Sequence, residues 1–287
     1  MTIAKILVPV TGAPRDSIAL ATAFSIAKPF SAHIVALFVR PNPWEALVYT
    51  ATPYPSSVTQ QLIDDAVAFA KESANHARKT LENEAGKAGA QVLPKPQRMP
   101  GCSCSFHETQ GYFAHVVTQA SLLADLVVFG PLSSPGGVDI NQAFVDTLLR
   151  IDRPVIIAEE APNRMIRTIS IAWDGGTAAA QALIAAIPFL SHAEKVEVFT
   201  VLTVTGRDHD IAAVSDFISL HGFSCTEHRV PAEGKPIAQV ITEHVRQRNT
   251  DLLVMGGYGR GHLRESLFGG VTAETRWNPA VPTLMAH

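Results

Sequence analysis

Five glycines near the C-terminus have the spacing of an anion-binding loop. Gly256, Gly257 and Gly259 follow a short apolar run, Leu252-Leu253-Val254-Met255, that reads as a buried strand. Nine residues separate Gly259 from Gly269, and Gly269-Gly270 opens what reads as a last helix. Glycine lets backbone N–H groups approach an anion with no Cβ in the way. A helix N-terminus adds unpaired N–H donors and a partial positive charge. A strand, a glycine turn and a glycine-led helix together suit a phosphate. The same glycines would also serve a loop that only has to turn, because single glycine motifs are weak signals. A second group is Cys102-Ser103-Cys104 with His107 and, further on, His115. Two thiolates and an imidazole suit zinc or copper. Their spacing is no standard zinc signature, and the segment reads as a loop leading into a helix. A bridge between Cys102 and Cys104 would be strained.

The elements that must hold these residues come in two copies. Ile6–Gly12 lies over Ile169–Gly175 at an offset of 163, and the match continues to Ile34–Phe38 over Glu197–Val201. Asp125–Gly130 matches Asp251–Gly256, and Pro154–Ala158 matches Pro282–Ala286. Self-similarity of this kind organises the whole reading. The expected units are 1–160 and 165–287, joined by the polar, proline-bearing stretch Glu159–Arg164. In the second unit, strands are expected at Thr168–Trp173, Lys195–Leu202, Ser224–Val230, Asp251–Met255 and Thr283–Ala286. Helices are expected at Ala178–Leu190, Ile211–His221, Pro236–Arg248 and about Gly270–Trp277. Strands alternating with helices predict an α/β fold, with two tandem doubly wound five-stranded parallel sheets. The first unit carries an insertion, Arg40–Val58, with Trp44, Tyr49 and Tyr54 among prolines, followed by a helix over roughly Thr59–Ala88. The insertion reads as an oligomer contact, since no acid–base group accompanies its aromatics.

With these strands in place, the second unit resembles the universal stress protein family, in its ATP-binding branch. Gly256, Gly259 and Gly269 fall at the spacing of the family's G-x2-G-x9-G motif, and Asp174 in Ala172-Trp173-Asp174-Gly175-Gly176 matches the aspartate at the end of its first strand. The resemblance covers all five strands of this unit and, through the repeat, the whole chain. It implies an adenine nucleotide (ATP, ADP or AMP, with Mg2+ as companion). Asp174 would accept a hydrogen bond from the adenine end, with Ala172 and Val201 flanking the base and Met255 beside them at the end of strand four. Gly256 and Gly259 would let the loop fold round ribose and phosphates, where Arg260 and His262 could touch phosphate. Gly269, Gly270, Val271 and Thr272 would present N–H groups or a hydroxyl to the terminal phosphates. It also implies that the two units pack through their fifth strands, Val155–Ala158 against Thr283–Ala286. One departure is Gly270, which stands where the family has Ser or Thr. A hydrogen bond to a charged group is worth roughly 1.5–3 kcal/mol, and Thr272 replaces it in part.

The first unit reads as a scaffold without a nucleotide site. Thr11 stands in the place of Asp174, Pro131 follows Gly130 and removes an N–H donor, and Gln142-Ala143 replace Gly269-Gly270. Other chemistry is thin. His192, His209, His221, His228, His244 and His287 are scattered and read as solvated surface groups. There is no HExxH, no G-x-S-x-G and no G-x4-G-K-[ST] motif. Catalysis is therefore expected to be absent, or at most a weak ATP hydrolysis.

Composition bounds the rest. The chain has 287 residues, 47% of them apolar, and a net charge of −3, without a Lys/Arg block to meet nucleic acid. No apolar run approaches the ~18 residues of a membrane span. The opening MTIAKILVPV is too short for a signal peptide and is closed by Pro9. Three cysteines make no disulfide framework and suit a reducing cytoplasm. Three readings follow: a regulatory nucleotide-binding module with an unidentified protein partner, a scaffold that dimerises through the insertion, or a metal- or redox-linked sensor using Cys102, Cys104 and His107.

Overall fold

A computed structural model of the chain describes residues 2–41, 56–132, 140–158, 160–162, 164–203, 210–257 and 281–287. In chain order the elements are β1 (Lys5–Val10), α1 (Asp16–Phe30), β2 (His33–Arg40), α2 (Ser56–Ala88), β3 (Gln91–Val92), β4 (Ser103–Gln110), α3 (Phe113–Ser121), β5 (Leu126–Phe129), α4 (Ile140–Leu149) and β6 (Val155–Ile157). The second half adds β7 (Thr168–Ala172), α5 (Thr177–Leu190), β8 (Lys195–Leu202), α6 (Ile211–Leu220), β9 (Thr226–Pro231), α7 (Ile237–Gln247), β10 (Leu252–Gly256) and β11 (Thr283–Ala286).

All eleven strands form one sheet, in the order β3-β4-β2-β1-β5-β6-β11-β10-β7-β8-β9. Within each half the pairs are parallel. The halves meet where β6 runs antiparallel to β11, with Thr283 opposite Ile157 and Met285 opposite Val155. The expected fifth-strand contact is thus a backbone ladder that fuses two sheets into one. Each fifth strand would otherwise be an open edge, and pairing them removes both edges at once.

Helices cover both faces, which is why the central strands are almost wholly apolar. Ile6, Val8 and Val10 of β1, with Ile169 and Ile171 of β7, face α1, α2, α5 and α6. Leu7, Leu253, Met255 and Met285 face the opposite way, against α3, α4 and α7. Alternation along each strand sends successive side chains to the two layers.

Two elements differ from the sequence reading. The stretch around Cys102–His107 is not a loop but largely strand β4, paired with β2 from His33↔Ser103 to Arg40↔Gln110. The two-residue β3 adds a sixth strand to the first half, at the rim of the sheet. Helix α2 begins at Ser56, inside the expected insertion, and residues 42–55 lie outside the described residues. The last helix expected near Gly270–Trp277 lies there too.

Candidate functional site

In the second half the chain leaves the first-position strand β7 on one side for β8 and β9, and on the other for β10 and β11. β7 and β10 are therefore the two strands at the switch point, paired through Val254↔Ile171. In open parallel sheets ligands sit beyond the C-terminal ends of such strands. The residues at those ends are Ala172 and Gly256, and Val201 lies one strand further on, in β8.

The turn after β7 is built around Asp174. Gly175 takes a φ of +70°, a region open to glycine at little cost. The Gly176 N–H then donates to Asp174 Oδ1 at 2.8 Å. Asp174 is exposed, and Gly176 caps α5 without a side-chain bond of its own. The positive end of the 14-residue helix α5 is thus presented beside an exposed carboxylate. Ala172 and Val201 are both half-buried against the same apolar layer.

Gly256 has a steric reason to be glycine. A Cβ built there would lie 2.6 Å from the Ala179 N and 2.8 Å from the Ala178 carbonyl carbon. The end of β10 is pressed onto the first turn of α5. Met255 beside it is buried in the opposite layer, where its side chain packs as core. Gly257 N–H donates to the Ala286 carbonyl at 2.8 Å, and His287 Nδ1 lies 3.1 Å from the Gly257 carbonyl. The structure therefore brings Ala172, Asp174, Val201 and Gly256 to one end of the sheet. Gly259, Arg260, His262, Gly269, Gly270, Val271 and Thr272 lie outside the described residues.

The matching turn of the first half is already filled. Gly12, with φ +85°, repeats the conformation of Gly175. Here, however, Asp16 in the first turn of α1 swings back into the turn. Its carboxylate accepts from Thr11 N–H at 2.9 Å, Gly12 N–H at 2.7 Å and Thr11 Oγ1–H at 3.1 Å. Burial pushes the Asp16 carboxyl up to about 6, against the pull of the Gly12 and Thr11 N–H groups. Helix α2 then covers the turn: a Cβ on Gly12 would lie 2.4 Å from the Ser73 carbonyl oxygen. Sequence reasoning missed Asp16, because it compared Thr11 with Asp174 position by position. At the position of Asp16 the second half has Ala179, which can reach nothing.

Cys102, Cys104 and His107 do not converge. Cys104 is buried in the α1/α2 layer, with Cys102 half-buried against it. Strand alternation sends His107 to the other face of β4, where it is exposed. Burial pushes the Cys102 thiol up to about 11 and that of Cys104 to about 12, so neither supplies a thiolate near neutral pH. Among the described residues no group of three His, Cys, Asp or Glu is placed to hold a metal.

The histidines need correcting as well. His33 is buried between Ser103 Oγ at 2.8 Å and Ser105 Oγ at 2.9 Å. His244 is buried with its ring tilted over Phe199, 4.2 Å between centroids. It belongs to a charge cluster that sequence reading did not anticipate. Glu197, with no exposed side-chain surface, meets Lys195 Nζ at 2.6 Å, His228 Nε2 at 3.5 Å and Arg248 Nη1 at 3.7 Å. Burial pushes the Glu197 carboxyl up, but Lys195 first, then Arg248, hold it below the usual carboxylate range. Burial, reinforced by Arg248, drives His244 down to about 4. The available signal was a charged residue inside an apolar strand: Glu197 lies over Ile34 in the repeat. Lys195 and Arg248 offset the buried carboxylate charge.

Comparison with known proteins agrees with this architecture. Residues 226–287 match the universal stress protein family. A universal stress protein from Archaeoglobus fulgidus DSM 4304 is 16% identical and superposes with a TM-score of 0.66, over 98% of this chain and 94% of its own. A functionally unknown protein from Pseudomonas aeruginosa PAO1, also 16% identical, gives 0.55 over 98% and 92%. Comparison with curated proteins yields no match. These likenesses show a shared fold along both halves, with the match to the universal stress protein family lying in residues 226–287.

Proposed function

We propose that the chain is a regulatory module that binds one adenine nucleotide, at the β7/β10 end of its second half. The observation that carries this is the contrast between the two first-strand turns. In the first half a protein carboxylate takes the turn's N–H groups and α2 covers it. In the second half Asp174 is exposed beside the N-terminus of α5, and among the described residues its carboxylate accepts from one N–H of the turn, that of Gly176. The residues fit the ligand in kind. A carboxylate accepts from the donor groups of a base or ribose, half-buried Ala172 and Val201 offer apolar contact, and a helix N-terminus favours phosphate. Magnesium would enter with the phosphates, because no ligand set of protein side chains converges among the described residues. The ATP form, the cytoplasmic setting and a protein partner that reads occupancy belong to the same proposal. The units 1–160 and 165–287 are its working parts, the first as scaffold and the second as sensor.

The test is calorimetric titration of the full chain with ATP and magnesium. One site per chain is expected. Asp174→Ala should weaken binding by roughly ten- to a hundredfold, the worth of one hydrogen bond to a charged acceptor. Thr11→Ala should leave affinity unchanged. Equal losses from the two substitutions, or two sites per chain, would contradict a single second-half site.

A further inference from the structure

Strand β9 ends the sheet in the second half, and among the described residues β8 is its only strand neighbour. The first half treats the same place differently. There the outer strand β4 carries β3 along its start, through Gln91↔Ser103 and Val92↔Cys104. β3 comes from the connection between α2 and β4, residues 89–102, whereas residues 221–225 lead from α6 to β9 with no strand of their own. Among the described residues, the outer edge of β9 is thus open along Thr226–Pro231.

The ladder to β8 fixes which backbone groups face outward. Ala232 N–H donates to the Leu202 carbonyl, and Leu202 pairs with Pro231. Backbone groups alternate sides along a strand. Thr226, His228 and Val230 therefore turn theirs to β8, and Glu227, Arg229 and Pro231 turn theirs outward. Proline suits such an edge because its missing N–H falls on the open side. The side chains of Glu227 and Arg229 are exposed and share one face of the strand. There Glu227 Oε1 accepts from Ser215 Oγ at 2.6 Å, and Glu227 Oε2 lies 4.0 Å from Arg229 Nη1.

An unpaired edge is a template for a further strand, and charge selects which one. In an antiparallel pairing centred on His228, Glu227 of each copy stands directly opposite Arg229 of the other. Both residues have their N–H and C=O groups on the outer side, so each such pair exchanges both backbone hydrogen bonds. The contact is the same for both copies, as a two-fold axis requires. The neighbouring symmetric registers set Glu227 against Glu227 or Arg229 against Arg229, and like charges directly opposite are destabilising. We propose that β9 joins two copies of this chain in the register centred on His228, extending the sheet across a two-fold axis. The proposal does not depend on the nucleotide reading.

The test is sedimentation equilibrium of the full chain from micromolar to millimolar concentration. A short ladder makes a small, transient interface, so the dimer should grow in with concentration. Glu227→Arg and Arg229→Glu each turn both cross-strand pairs into like-charge pairs, and each should weaken dimerisation roughly ten- to a hundredfold. An equimolar mixture of the two variants restores opposite charges at both pairs. It should dimerise as the parent does, which misfolded variants could not do. A parent that stays monomeric throughout would overturn the proposal. So would a dimer that neither substitution weakens, because the contact would then lie elsewhere. A mixture that dimerises no better than its components would reject the register and the proposal with it.

Discussion

Gly256→Ala should lower the stability of the whole chain by about 3 kcal/mol, while Gly130→Ala at the equivalent position of the first half should cost less than about 1 kcal/mol. The two glycines occupy matching strand ends in the repeat, and neither has a positive φ that would by itself demand glycine. They differ in what their missing Cβ would meet. At Gly256 it would lie 2.6 Å from the Ala179 N and 2.9 Å from the Ala178 Cβ. Two of its three nearest atoms are helix backbone, so relief requires moving α5 off β10. At Gly130 the nearest atom is the Ala19 Cβ, at 3.4 Å, an ordinary contact. Urea denaturation of both variants checks this, and equal midpoints would refute the close approach of β10 to α5. There is a consequence for assigning the binding site. Loss of nucleotide binding in Gly256→Ala would report a displaced α5 as readily as a lost contact, so Asp174→Ala is the cleaner probe.

The sequence showed most of the architecture because the repeat ties each strand of one half to its counterpart in the other. The 163-residue offset located β7 and β8 from β1 and β2, and apolar runs located β5, β6, β10 and β11. Fifth-strand pairing came from the resemblance, and the β6–β11 register realises it. β4 was hidden because Cys-Ser-Cys-Ser-Phe-His-Glu-Thr-Gln is polar and near the sheet's rim. Pairing with β2 along eight residues holds it as a strand, and propensity does not. Within the candidate site, the position of Asp174 was legible because it closes a strand. Asp16 was not legible, because its role depends on a side chain reaching back from a helix to a turn. Gly256 was read as a phosphate-loop glycine, yet its contact with α5 already explains the residue. The Glu197 cluster was only partly legible: Lys195 stands two residues away on β8, but His228 comes from β9 and Arg248 from the C-cap of α7, distant in sequence and joined only by the fold.

Asp16→Asn and His244→Phe should change the pH dependence of stability in opposite directions across the same acid range. The Asp16 carboxyl is raised from 3.8 to about 6. Between those values the folded protein holds a proton that the unfolded chain has released. Its contribution is therefore present at low pH and declines as pH rises through the window, by about 3 kcal/mol at 1.36 kcal/mol per pH unit. His244 is lowered from 6.5 to about 4. Below 6.5 the unfolded chain takes up a proton that the buried ring, under Phe199 and beside Arg248, refuses. Its contribution is present above pH 6.5 and declines as pH falls to about 4, again by about 3 kcal/mol. In the parent protein these two slopes offset each other from about pH 4 to 6. Removing Asp16's titration should expose a stability that rises with pH, and removing His244's should expose one that falls. Urea midpoints of parent and variants at pH 4, 5, 6 and 7, taken as differences from the parent, measure this directly. At pH 7 His244→Phe should be neutral or mildly stabilising, since it replaces a buried Nε2 that has no hydrogen-bond partner among the described residues. An Asp16→Asn profile parallel to the parent would mean that the carboxylate is already ionised in the fold at pH 4, with its three N–H and O–H donors outweighing its burial.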